Sequence, residues 1–91
     1  MGNIQINHYP KPSELEAMDV YSWPIWQKET SEFPWHYGQT ETCYFLAGAV
    51  TVTPEGGDPV SMGQGDLVTF PAGMSCVWCI EAAVKKHYLF H

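Results

Sequence analysis

Apolar and polar residues alternate along this chain in short stretches of period two, and clusters of Gly and Pro interrupt them before a helical period can develop. Ile4 and Ile6 alternate with polar neighbours as an edge strand does. Trp23-Pro24-Ile25-Trp26 and Phe33-Pro34-Trp35 read as aromatic strand pieces with their prolines at edges or strand starts. Thr42 to Thr53 predicts two strand segments hinged at Gly48. Val60-Ser61-Met62 and Leu67-Val68-Thr69-Phe70 are too short for helices and are bracketed by turn signals: Pro54 to Pro59, Gly63-Gln64-Gly65-Asp66 and Pro71-Ala72-Gly73. Ser75 to Ile80 and Val84 to Phe90 supply the last pair. One helical segment is expected, near Glu14 to Met18, because Ser13-Glu14-Leu15-Glu16 matches a capping box. The pattern predicts an all-β antiparallel fold of about eight to ten short strands with one short N-terminal helix.

With 91 residues the chain is sized for a single domain, residues 1–91, and about 60–65% of its unfolded surface is buried on folding. Aromatic residues make up 14% of the chain and charged residues 15%, against roughly 25% charged in an average domain. That surplus of apolar surface over what so small a core can hide predicts a homodimer. The net charge is −6 and the cations are Lys11, Lys28, Lys85 and Lys86, so neither nucleic acid nor an anionic membrane is an expected partner. No apolar run approaches the roughly 20 residues of a membrane span, the start lacks a signal pattern, and Ile6 stands where a myristoylation motif wants Ser or Thr. A cytoplasmic setting is expected, and three cysteines fit it as reduced thiols.

Motif spacing narrows the fold. Six residues separate Glu41 from Gly48; five separate Gly65 from Pro71, one more reaches Gly73, and two more reach Cys76. These intervals resemble the two cupin motifs, an HxH pair followed by E-x6-G and then G-x5-P-x-G-x2-H-x3-N. More narrowly, Trp23 to Trp26, Glu41-Thr42-Cys43-Tyr44, Gly65 to Met74 and Lys86-His87-Tyr88 are similar to the small single-domain cupins grouped with ureidoglycine aminohydrolase and the ethanolamine-utilisation cupin. The resemblance implies a cupin double-stranded β-helix, a closed conical jelly-roll barrel, often dimeric. In metal-binding cupins three His and one Glu hold Mn, Fe, Ni or Zn. Here Pro34 falls at the first His position, His36 at the second, Cys76 at the third and Ile80 at the Asn, while Lys28 replaces the opening Gly. The set that remains for zinc or another transition metal is His36, Glu41 and Cys76, and metal-free chemistry is expected.

Alternation places Glu41, Cys43 and Phe45 on one strand face, and Cys76, Trp78 and Ile80 likewise; the resemblance makes those faces the barrel interior. Glu41 is the candidate catalytic residue, since a carboxylate there has to be paired, hydrogen-bonded, metal-bound or protonated. His36, Cys43, Phe45, Cys76, Trp78 and His87 are the candidate ligand pocket, with His87 also readable as a structural histidine. Cys76 and Cys79, three apart on a strand, point to opposite faces and are expected not to bridge. Two readings stay open: a small-molecule-binding cupin, an enzyme on a small polar metabolite through Glu41, or a non-catalytic binding or regulatory module whose barrel is packed shut.

Overall fold

A computed structural model describes residues 3–91; Met1 and Gly2, the start of the stretch read for targeting signals, lie outside the described residues. The elements are β1 (Gln5–His8), α1 (Pro12–Ala17), a 3-10 turn (Val20–Ser22), β2 (Ile25–Lys28), β3 (Ser31–His36), β4 (Glu41–Pro54), β5 (Val60–Gly63), β6 (Asp66–Phe70) and β7 (Ser75–Phe90). All strand pairs are antiparallel. The sheet runs β1-β6-β4-β7-β2, with β3 also on β7 and β5 also on β4.

Among the described residues seven strands replace the expected eight to ten because β4 and β7 continue through their bends for 14 and 16 residues. The register between them shifts between Phe45 and Val50, which is where Gly48 sits with φ 104°. A Cβ at Gly48 would lie 2.5 Å from the Ala83 carbonyl oxygen, so only glycine lets the strands cross there. Bulges bend a strand and raise its twist without ending it. The consequence is a sheet folded over on itself. Phe70 is registered with Glu41 at one end of β4 and Trp78 with Val52 near the other, yet the two rings are 5.7 Å apart. Between the halves lies the main core, with Phe45, Val52, Val68, Phe70 and Trp78 at its centre.

Among the described residues backbone pairing does not complete the closed barrel that the resemblance implies. β1 ends one edge, and β2 and β3 end the other. β1 and β2 are four residues each, and Pro24 and Pro34 bring no N–H to the second edge. The capping box is also corrected: the helix starts two residues earlier, with Pro12 at its first position and Lys11 as an N-cap without a side-chain hydrogen bond, so Ser13 lies inside the helix. Asp19, left-handed at φ 56°, ends that segment, and Ser22 Oγ donates to its carbonyl at 2.7 Å. Leu15, Val20 and Trp23 pack with Tyr44 and Leu67 as a second, small core on the other face of the sheet. Among the described residues no helix is long and apolar enough to cross a membrane.

Candidate functional site

Strand alternation carries Glu41, Cys43 and Phe45 of β4 inward, all three buried. On β7 it carries Cys76, Trp78 and Ile80 inward before the Ala82-Ala83 bend, then Val84 and Lys86 after it. Because β4 and β7 are neighbours, with Phe45 registered on Lys86, the lysine reaches back to the carboxylate. Lys86 Nζ donates to Glu41 Oε2 at 2.5 Å, and the two side chains are 6% and 5% exposed.

An ammonium and a carboxylate this deep would be costly apart, and here each is the other's counter-ion. Four rings add to the cation's side: Nζ lies 4.8 Å from the Trp78 centroid, 5.1 Å from Trp26, 5.9 Å from Phe70 and 6.0 Å from Phe45. Above the pair is a cavity of about 170 Å³. Trp26, Phe33 and Trp35 wall it from β2 and β3, and Trp78, Tyr88 and Phe90 from β7, with Tyr37, Glu41 and Lys86 completing the lining. Phe33 stacks on Trp78 at 6.0 Å, and Tyr37 stacks on Phe70 at 4.8 Å while its hydroxyl accepts from Trp78 Nε1 at 3.1 Å.

Cys43 and Cys76 are held protonated. Burial pushes Cys43 up to about 12, with the Lys86 cation pulling it down and the Glu41 anion pushing it up, and burial raises Cys76 to about 11. Tyr37 is held far above the usual phenol range by burial first and by Glu41 next.

Of the residues expected around Glu41, Trp78 lines the cavity, while Cys43 and Phe45 are buried beneath it. Cys76 points inward but borders a separate open groove, and its Sγ lies 3.7 Å from the Trp35 carbonyl. His36 is not brought to Glu41. It is exposed, 2.8 Å from Ser75 Oγ on the rim of that groove, because Phe33 and Trp35 take the cavity side of β3. His87 does not line the cavity and is buried, its Nδ1 2.9 Å from the Trp23 carbonyl and its ring edge-on to Tyr21. Cys79 falls on the face opposite Cys76, and all three cysteines are free.

Lys86, Tyr37 and Trp26 were absent from the expected site. For Lys86 a signal existed: Glu41 needed a counter-charge, the chain has only four cations, and Tyr88 and Lys86 share a face by alternation. The donors do not fit a cupin metal. Glu41 is already neutralised by Lys86, His36 is turned out, Pro34 and Ile80 carry no donor, and among the described residues no three His, Cys, Asp or Glu side chains converge.

Residues 15–88 match a family model described as a EutQ-like cupin domain. The crystal structure of a DUF861 family protein from Thermotoga maritima superposes with a TM-score of 0.95 at 46% identity, covering 98% of this chain and 100% of that one. The Clostridium difficile EutQ protein follows at TM-score 0.67 and 19% identity over 74% of this chain; only 52% of EutQ is covered, so that likeness is one of fold. A DUF861 family protein from Pseudomonas syringae pv. tomato, 25% identical over 70% of this chain, has a TM-score of 0.64 with 28% of its length covered. No curated protein matches.

Proposed function

Because this chain belongs to the EutQ-like cupin domain family, we propose that it is a small-molecule-binding cupin whose ligand, a small polar metabolite, enters the aromatic cavity and meets the Glu41–Lys86 pair. The conical jelly-roll barrel of the family is part of this reading, as are a cytoplasmic setting and a homodimer. One observation carries it: the cavity opens onto a buried, hydrogen-bonded pair of opposite charges, where a solid core would hold apolar side chains. The pair supplies both a carboxylate that takes a proton and an ammonium that gives one, the two partners of metal-free acid/base chemistry. Phe45, Phe70 and Trp78 fill much of the interior, which keeps the ligand small. A volume of about 170 Å³ is near that of a ~150 Å³ cavity known to take benzene, so the occupant has one ring or a short chain.

The test is a saturation-transfer NMR screen of small polar metabolites, repeated on Phe33→Trp, which fills the cavity without touching the pair. The expected result is at least one compound that binds the unmodified protein and is lost in the variant. No binder at millimolar concentration, or binders indifferent to Phe33→Trp, would overturn the cavity as a ligand site and favour the competing reading, a non-catalytic module.

A further inference from the structure

Three features of the cavity say what kind of small molecule it takes. The first is its charge. Glu41 and Lys86 cancel one another at 2.5 Å, so an incoming ion meets an attractive and a repulsive partner within one ion-pair length, and its own desolvation goes uncompensated. A neutral ligand escapes that conflict.

The second is the supply of donors. An ammonium has three N–H groups. One is spent on Glu41, which leaves two, and Nζ lies 5.1 and 4.8 Å from the centroids of Trp26 and Trp78 on the cavity wall. Tyr37 adds another donor by elimination: an indole N–H can only donate, so the Tyr37 oxygen is the acceptor in its bond with Trp78, and the phenol proton is left over. Burial, with the charge of Glu41 beside it, keeps that proton on Tyr37. The cavity thus holds donors that Glu41 does not use, beside a carboxylate that keeps acceptor sites of its own, and a carbonyl oxygen answers the donors.

The third is shape. The stacked rings of Phe33 and Trp78, 19° from parallel, make a flat wall, and the volume suits one ring.

We infer that the ligand is a small neutral carbonyl compound with a flat apolar body, an amide or ketone, whose oxygen accepts a hydrogen bond from Lys86. This rests on reading the Glu41 cavity as the binding site.

The test titrates four one-ring probes, benzamide, acetophenone, benzoate and benzylamine, followed by the fluorescence of the cavity tryptophans and by calorimetry. Benzamide and acetophenone are expected to bind at least about tenfold more tightly than benzoate and benzylamine, the worth of one hydrogen bond to a charged donor. Lys86→Met is expected to remove that preference. Should this variant fail to fold, Glu41→Gln/Lys86→Met, which leaves no charge unpaired, takes its place with the same expectation. If benzoate or benzylamine binds as tightly as benzamide, or the preference survives removal of Lys86, the inference is overturned and the cavity reading stands. If none of the four binds at millimolar concentration, both fall.

Discussion

Removing one member of the Glu41–Lys86 pair should do more damage than removing both. At 2.5 Å and an effective dielectric near 20 the Coulomb attraction is about 7 kcal/mol, and desolvating the two ions, at several kcal/mol each, consumes most or all of it. The pair is therefore worth little against an apolar isostere, whereas one stranded charge costs about 3–5 kcal/mol. The two singles should differ. Glu41→Gln leaves the ammonium over Trp78 and Trp26, whose faces return up to ~2 kcal/mol, so the loss sits near ~3 kcal/mol. Lys86→Met leaves the carboxylate against ring faces that repel anions, so the loss approaches ~5 kcal/mol. For 91 residues the unfolding entropy is ~0.19 kcal/mol/K, which makes these drops in Tm of about 15 and 25 °C. Glu41→Gln/Lys86→Met should lose no more than the milder single. Calorimetric or urea unfolding of the four proteins completes the cycle. Two singles that each lose under ~1 kcal/mol and simply add would refute the reasoning, since that is how a water-screened surface pair behaves.

Four other outcomes follow from the same geometry. Gly48→Ala forces a side chain into positive φ with the Ala83 carbonyl 2.5 Å from its Cβ, and should lose more than ~2 kcal/mol in urea unfolding; a neutral result would mean that the β4 bulge is not held by that contact. In native protein at pH 8, mass-resolved alkylation should modify Cys79 and spare Cys43 and Cys76, with three free thiols per chain after denaturation, and a rapidly labelled Cys43 would contradict its burial. The same thiols give a pH trend. Their folded-state values, about 12 and about 11, stand above the ordinary 9.0, so their contribution to stability is present below pH 9 and is lost as pH rises towards 11–12; a Tm unchanged or higher over that range in a Cys79→Ser background would reverse the sign. Exposed Tyr9, Ile25, Trp35 and Phe90 favour a homodimer, so light scattering at micromolar protein should return twice the chain mass of 10.3 kDa, and a monomer would remove the proposal.

The legible part of the fold was its punctuation. Gly48, Gly65 and Gly73, singled out by motif spacing alone, are all in positive φ, which is a constraint that a side chain cannot meet cheaply and that sequence therefore records. Strand faces were legible where a strand is straight: Glu41, Cys43 and Phe45, and Cys76, Trp78 and Ile80, all point inward as alternation requires. What was not legible was the count of strands and the closure of the barrel, because a bulge bends a strand without ending it, and edge pairing depends on long-range geometry that no local pattern carries.

The site was half legible for a related reason. Motif spacing puts His36 at a cupin ligand position five residues before Glu41, across the turn between β3 and β4, and leaves its face open; turns do not preserve phase, and a shift of one residue exchanges the two faces of a strand. Trp35 took the inward place instead. Lys86 lies beyond the Ala82-Ala83 bend of β7, where three exposed residues in a row break the alternation running from Cys76 to Ile80. Counting through that bend from Ile80 would keep Lys86 inward, as it is, because the two segments happen to stay in phase; burial of a lysine is simply too rare to be assumed without a partner in view. The partner was in view. A carboxylate committed to the interior of a chain with four lysines and no arginine has few counter-ions to choose from, and only Lys85 and Lys86 lie on a strand paired with its own. Of the two, alternation with Tyr88 on the cavity wall selects Lys86. The electrostatic requirement of one buried residue thus identifies the other, and with it a site whose resident cation belongs to the chain itself.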